Sequence, residues 1–155
     1  MRPLKDSERG FSLTETLMVL AITGLLSGLA LASFQSRLPQ HRLGIAAREM
    51  VSDLRWARQL ALAERRPVLM VLDLEGDRYW IEREILPGVP VGWVRNLRDS
   101  KQGFGGVDLL SSSGGPVITF HAPGSTNGWT TLTLQNAEGE QRRITVVATG
   151  RVKLL

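Results

Sequence analysis

The sequence lacks several of the residues that catalytic and metal sites need. Its 155 residues include no cysteine, two histidines and one tyrosine. The absence of cysteine excludes a disulfide framework and a thiol nucleophile. No spacing typical of metal ligands occurs, and no glycine-rich loop has the lysine and the strand–helix setting of a phosphate-binding loop. The sequence therefore predicts no cofactor and no catalysis, and it leaves stability to packing alone.

Charge is almost absent from the segment between Phe11 and Phe34. These 24 residues contain one charged side chain, Glu15. A helix of this length can cross about 30 Å of hydrocarbon. A lone carboxylate near the start of such a span is costly and usually serves a function. If the chain were cut between Gly10 and Phe11, the new α-amino group of a neighbouring subunit would be a suitable partner for Glu15.

The residues Gly10-Phe11-Ser12-Leu13-Thr14-Glu15 follow a short basic leader and open this apolar run. They resemble the class III signal of type IV pilins and type II secretion pseudopilins. The resemblance implies that a prepilin peptidase cleaves after Gly10 and methylates the new amine of Phe11. It also implies that Glu15 mediates assembly with other pilins or pseudopilins in a fibre. The basic leader predicts a cytoplasmic N-terminus and an exported remainder. The resemblance implies a single pass through the bacterial inner membrane and a periplasmic C-terminal domain.

Residues 35–66 have the pattern of an amphipathic helix. Pro39 is expected to kink or restart this helix near its beginning. Seven arginines and three acids give the segment the whole formal excess charge of the chain, +4. A basic helix can contact lipid headgroups or nucleic acid, but it is more often a solvated face or a subunit contact. Apolar residues recur at alternating steps of four and three, at Leu43, Ala47, Met50, Leu54, Ala57 and Ala61.

The helical period stops at Pro67, and the rest of the chain predicts a β-rich domain. Residues 68–73 and 78–82 are expected to form a hairpin. Residues 85–94 contain two prolines and two glycines, which limits them to a broken or edge strand. A mobile loop is predicted over residues 99–115, with one strand near 107–110. An antiparallel meander is predicted for the last three strands, at 117–120, 130–134 and 143–147.

Glycines and short strands in the C-terminal third carry a second resemblance. They comprise Phe120-x-x-Pro123-Gly124, Gly128, Gly139, and Ile144-Thr145-Val146 followed by Gly150-Arg151-Val152. With residues 57–68, they resemble the GspH/FimT group of minor pseudopilins. The resemblance implies an α+β fold in which a long N-terminal helix packs on a C-terminal antiparallel β-sheet domain. We expect a cleaved leader at 1–10, a transmembrane helix at 11–34, an amphipathic helix at 35–66 and a periplasmic β-rich domain at 67–155.

The resemblance implies a minor pseudopilin, a non-catalytic structural subunit of a type II protein secretion pseudopilus. The alternative is a FimT-like minor pilin of a type IV pilus that binds duplex DNA for uptake. Gly150-Arg151-Val152-Lys153 is similar to the Gly-Arg-x-Arg element that FimT-like pilins use for DNA, with lysine in place of the second arginine. Phosphate contacts of this kind are independent of sequence and sensitive to salt. The candidate DNA contacts are Arg142, Arg143, Arg151 and Lys153.

Overall fold

A computed structural model describes residues 12–155, except for the side chains of 30–36. The predicted cleavage site, Gly10 and Phe11, lies outside the described residues. The chain divides into two compact units, residues 1–37 and 38–155. Among the described residues, one α-helix and eight strands follow one another: α1 (Leu13–Glu64), β1 (Val68–Asp73), β2 (Arg78–Arg83), β3 (Pro90–Asn96), β4 (Val107–Ser112), β5 (Val117–Phe120), β6 (Thr130–Asn136), β7 (Gln141–Val146) and β8 (Val152–Leu154).

The first unit is helical from Leu13 onward, and Ser12 caps this helix. The Ser12 hydroxyl accepts a hydrogen bond from the Glu15 N–H at 3.2 Å, and its carbonyl accepts one from the Thr16 N–H at 3.1 Å. The first bond satisfies one of the backbone donors that a helix N-terminus otherwise leaves open, and the second is the first hydrogen bond of the helix itself.

The predicted transmembrane helix, residues 11–34, extends beyond what the structure describes. Phe11 and the side chains of residues 30–36 lie outside the description. Within residues 12–155, no helix has both the length and the apolar character that a membrane crossing requires. The membrane span stays a prediction.

In the second unit, α1 presents the predicted apolar stripe to the core. Pro39 lies inside the continuous helix, so the expected restart at this residue is wrong. A proline removes one backbone hydrogen bond, and burial of the apolar stripe that follows it offsets this loss. All six stripe residues are at most 1% exposed: Leu43, Ala47, Met50, Leu54, Ala57 and Ala61.

The helix ends at Glu64, two residues before the predicted boundary. Arg65 has a φ of 53°, in the left-handed region where the chain turns out of the helix. Arg83 in β2 holds Glu64 with two nitrogens, Nε at 2.8 Å from Oε2 and Nη2 at 2.7 Å from Oε1. These hydrogen bonds hold the pKa of the Glu64 carboxyl below its usual range. The end of α1 is thereby joined to β2.

The strands form two antiparallel sheets of four, in the orders β3-β2-β1-β5 and β4-β6-β7-β8. The predicted hairpin is confirmed, since β1 pairs with β2 from Val68 opposite Arg83 to Asp73 opposite Arg78. The edge position predicted for the proline-containing strand is also confirmed, at β3. The predicted meander is wrong because β5 pairs with β1 in the first sheet, while β6 and β7 pair in the second. Strand β8 was not predicted.

One hydrophobic core joins the helix stripe to side chains from both sheets. Burial alternates with a period of two along β1 and β6, as expected for strands with one face on a core. Residues 99–115 include the strand predicted near 107–110, which is confirmed as β4, and have more regular structure than the predicted mobile loop. They contain a short 3-10 helix and strand β4, and Phe104 is 2% exposed in the core. Arg42 of α1 donates to the Gly105 carbonyl at 3.3 Å and fixes this segment.

Buried polar groups also join the helix to the first sheet. The Tyr79 hydroxyl donates to Asp53 Oδ2 at 2.9 Å, and Arg95 Nε lies 3.2 Å from the same oxygen. Burial, together with the charge of Asp53, raises the pKa of the Tyr79 hydroxyl above its usual range. The hydroxyl therefore stays protonated and remains a donor to Asp53.

Candidate functional site

Glu15, the residue predicted to mediate assembly, lies exposed in the first turn of α1. The Ser12 cap fixes this turn, and the positive end of a helix dipole favours a carboxylate there. Within residues 12–155, no cation forms an ion pair with Glu15. The Glu15 carboxylate is therefore available to a cation from outside the described residues.

The acids in the second half of α1 pair with arginines of the first sheet. Arg83 pairs with Glu64 at 2.7 Å. Arg95 pairs with Asp53 at 3.2 Å and with Glu49 at 3.4 Å. In the part of the chain that the structure describes, the arginines of α1 itself have no acidic partner: Arg37, Arg42, Arg48, Arg55 and Arg58. The positive charge of the helix is thus not neutralised within the fold.

The structure places three of the four candidate DNA contacts on one face. Lys153 of β8 lies opposite Thr145 of β7, and strand alternation puts Arg143, Arg151 and Lys153 on the outer face of the second sheet. The inner face carries the buried Ile144 and Val146. Arg142 follows the inner-face alternation and lines a separate cavity with Gln40, Leu43, Glu140 and Gln141.

Three arginines line one cavity of about 360 Å³ between α1 and the β7–β8 turn. Arg55 and Arg58 come from the helix, and Arg151 comes from the turn. The Arg58 Nε donates to the Gly124 carbonyl at 3.0 Å, which fixes this guanidinium against the sheet domain. Guanidinium groups bind phosphate and carboxylate oxygens through short, charge-assisted hydrogen bonds. We call this cavity the arginine pocket.

Two glycines shape the arginine pocket. Gly124 and Gly150 have φ angles of 80° and 74°, in the left-handed region. A Cβ atom at Gly150 would collide with the Gly124 carbonyl and would lie 2.8 Å from Arg58 Nε. The glycine that precedes Arg151 therefore permits a close approach of two turns. The close contact of the two turns brings Arg151 to the same pocket that Arg58 lines.

An apolar groove of about 430 Å³ adjoins the arginine pocket, and Arg151 lines both. Trp129, which precedes β6, is 72% exposed at this groove. We call this cavity the Trp129 groove. Its lining residues are Trp129, Thr145, Val147, Ala148, Thr149, Arg151, Lys153 and Leu155.

Sequence reasoning missed Trp129, Arg55 and Arg58 as site residues. The available signal for Trp129 was its position directly before a threonine-rich strand, Thr130-Thr131-Leu132-Thr133. Arg55 and Arg58 are three residues apart, and this spacing places them on one side of a helix. No local pattern indicated that this side lies next to Arg151.

The described residues contain no arrangement typical of a metal centre. Within residues 12–155, no group of three or more histidine, cysteine or acidic side chains can hold a metal ion. His41 lies exposed on α1, and the backbone of His121 forms the turn after β5 through bonds to Ser125 and Gly124. The cationic surface around Arg151 is therefore the candidate functional site.

Two family models match the chain. The model described as Type II transport protein GspH matches residues 46–150. The chain belongs to the GspH family. A second model, the prokaryotic N-terminal methylation motif, matches residues 5–31. The predicted family and the predicted α+β pilin-like fold are thus confirmed.

Solved structures of a minor pilin and of a minor pseudopilin share the fold of this GspH-family chain. The type IV minor pilin FimU of Pseudomonas aeruginosa is 19% identical with a TM-score of 0.60, over 75% of this chain and 90% of FimU. The minor pseudopilin EpsH from the type II secretion system of Vibrio cholerae is 17% identical with a TM-score of 0.60, over 74% of this chain and 96% of EpsH. A search of curated proteins found no match. The GspH-family chain therefore has the pilin-like fold that both of these structures share.

Proposed function

We propose that this GspH-family chain is a minor pseudopilin, a non-catalytic structural subunit of a type II secretion pseudopilus. The observation that carries the proposal is the match to the family described as a type II transport protein. The match covers residues 46–150, which include most of the helix stripe and strands β1 to β7. The fold similarity to EpsH supports the proposal, and the fold similarity to FimU supports a type IV pilus equally.

Processing of the N-terminus is the first part of this proposal. A prepilin peptidase removes residues 1–10, and Phe11 becomes the methylated first residue of an inner-membrane helix at 11–34. The N-terminal methylation motif over residues 5–31 supports this. The intact mass of the full chain isolated from membranes should correspond to a protein that begins at Phe11 and carries one added methyl group. A Gly10→Val variant should remain uncut, and a mature N-terminus at another residue would refute the cleavage site.

Glu15 has a structural role in this account. Its carboxylate pairs with the Phe11 amine of a neighbouring subunit and sets the axial register of the fibre. The exposed position of Glu15 at the start of α1 supports this role, as does the absence of an ion-pair partner within residues 12–155. Desolvation of both charges offsets much of their attraction, so the pair contributes more to register than to net stability.

Deletion of the gene tests the secretion function. Substrates of the secretion system should accumulate in the periplasm and should no longer appear in the culture medium. Expression of the full chain from a plasmid should restore secretion. Normal secretion together with lost DNA uptake or lost pili would contradict the proposal and assign the chain to a type IV pilus.

Nucleic-acid binding is a second candidate function, favoured by one specific observation. Arg143, Arg151 and Lys153 share the outer face of the second sheet, and Arg151 also lines a cavity with Arg55 and Arg58 of the helix. The full chain should bind duplex DNA with micromolar affinity that falls steeply with salt. An Arg151→Ala/Lys153→Ala variant should abolish this binding. Arg142→Ala is the matched control because Arg142 lies elsewhere, and equal losses in both variants would contradict the assignment.

A further inference from the structure

We propose that the surface around Arg151 binds a single-stranded nucleic acid, with a base stacked on Trp129 and a phosphate in the arginine pocket. This inference rests on the second candidate function, nucleic-acid binding, and names the class of nucleic acid. It follows from two adjoining cavities of different chemistry that share one residue, Arg151.

The Trp129 groove provides the recognition of a base. Trp129 is 72% exposed, and Val147, Ala148 and Leu155 line the groove beside it. Aromatic side chains stack on unpaired bases whatever the sequence, because every base has a π-face. A duplex holds its base faces inside the stack, where a side chain on a protein surface does not reach them. An exposed indole in an apolar groove therefore matches a single strand better than a duplex.

The arginine pocket provides the recognition of the backbone. Arg55, Arg58 and Arg151 line it, and none of the described residues that line the pocket or the groove is acidic. The Arg58–Gly124 hydrogen bond at 3.0 Å holds one guanidinium in place before any ligand arrives. Because Arg151 lines both cavities, a strand with a base in the groove passes the residue that also lines the arginine pocket. Base and phosphate are adjacent in every nucleotide of a strand.

Trp93 differs from Trp129 in that its ring is already in contact with other side chains of the fold. The ring of Trp93 stacks on Trp56 with a centroid distance of 5.5 Å, and Arg95 lies 4.8 Å from the Trp93 ring centre. Trp93 is therefore engaged within the fold, although it is 49% exposed. Among the described residues, Trp129 has no stacked ring and no cation over its face. Trp93 thus provides a matched control for Trp129.

The test compares two labelled ligands by fluorescence anisotropy, using the full chain in detergent solution. One is a thymidine oligonucleotide of about 16 residues, at the upper end of common site sizes, and the other is a duplex of equal length. The single strand should bind more tightly than the duplex. Trp129→Ala should weaken single-strand binding about tenfold and leave duplex binding nearly unchanged, whereas Trp129→Phe should retain most of the single-strand affinity. Trp93→Ala should change neither affinity.

Two variants test the arginine pocket. Arg151→Ala should weaken binding of both ligands. Arg55→Ala should also weaken single-strand binding, and it leaves the Arg58–Gly124 hydrogen bond in place. Thermal unfolding of each variant should match that of the parent chain, because Trp129, Arg55 and Arg151 are all exposed.

The results distinguish failure of single-strand recognition from failure of nucleic-acid binding as a whole. Single-strand binding that is unchanged in Trp129→Ala would overturn the inference and leave nucleic-acid binding standing. If the chain binds only the duplex, and Arg151→Ala abolishes that binding, the inference is also overturned and nucleic-acid binding still stands. If neither ligand binds, the inference and the second candidate function both fail.

Discussion

At the scale of single residues, Asp77 joins the two sheets through one buried carboxylate. It lies in the β1–β2 turn, is 2% exposed and has a φ of 48°. Its Oδ1 accepts a hydrogen bond from the Leu109 N–H of β4 at 2.7 Å. Its Oδ2 lies 2.6 Å from Arg98 Nε as an ion pair. Aspartate is among the few residues that tolerate this backbone region, so both the conformation and the contacts select it.

Replacement of Asp77 should therefore destabilise the fold strongly. Asp77→Ala leaves the buried Leu109 N–H without its acceptor and should lower the free energy of unfolding by about 3 kcal/mol. Urea denaturation of the full chain in detergent measures this loss. Asp108→Ala is the control, because Asp108 is a more exposed partner of the same Arg98 and should cost about 1 kcal/mol or less. Equal losses would show that Asp77 does not connect the sheets in this way.

Residue-level patterns predicted about half of the candidate site. Arg151 and Lys153 were identified because they follow Gly150 in a recognisable element near the C-terminus. Arg55 and Arg58 lie more than ninety positions earlier, and only packing brings them to Arg151. Their place in the pocket depends on the contact between Gly124 and Gly150. Such a contact between distant turns leaves no local signature in a sequence.

At the scale of elements, the helix was predictable and the strand order was not. The stripe of α1 follows the helical period, so burial of its residues could be read directly. Strand β5 was expected beside β6 because the two are neighbours in sequence. It pairs instead with β1, where Val68 lies opposite Phe120 and Val71 opposite Val117. Which strands pair depends on which sheet edges are still unpaired in the folded chain. The hydrophobic pattern of a strand carries no information about these edges.

The junction of α1 and β2 predicts a specific response to acid. The folded pKa of Glu64 lies below its usual value of 4.5 because Arg83 hydrogen-bonds to it. The pair therefore stabilises the fold at pH values above the usual pKa, and this stabilisation is lost as pH falls through the lowered folded value. Both side chains are partly exposed, so the contribution of the pair to stability is small.

Glu64→Gln should lower the unfolding temperature near pH 7, and the gap to the parent chain should close as pH falls below the lowered folded pKa of Glu64. Thermal unfolding of both proteins across this range measures the gap. Glu138→Gln is the control, since Glu138 lies exposed in the β6–β7 turn without an ion pair among the described residues. A gap that persists at acid pH would show that packing, and not the ion pair, accounts for the loss.

At the scale of the whole molecule, the distribution of charge carries more functional information than the fold. A minor pilin and a minor pseudopilin share this fold at similar TM-scores, and a shared fold does not by itself fix function. The first sheet neutralises the acids of α1 through Arg83 and Arg95. The formal excess of +4 therefore stays on residues 35–66, whose arginines outnumber their acids. A cationic surface of this kind raises the encounter rate with polyanions, and salt weakens this effect because it screens the attraction.

The most direct test of the central claim is to identify the subunits that assemble with this chain in cells. The full chain would be cross-linked in living cells, isolated from detergent-solubilised membranes, and its partners identified by mass spectrometry. The cross-linked partners should be other pseudopilins of the type II secretion system, and they should be lost in a Glu15→Ala variant that is still processed. Cross-linking to the pilins of a type IV pilus, or partners that persist in Glu15→Ala, would contradict the central claim.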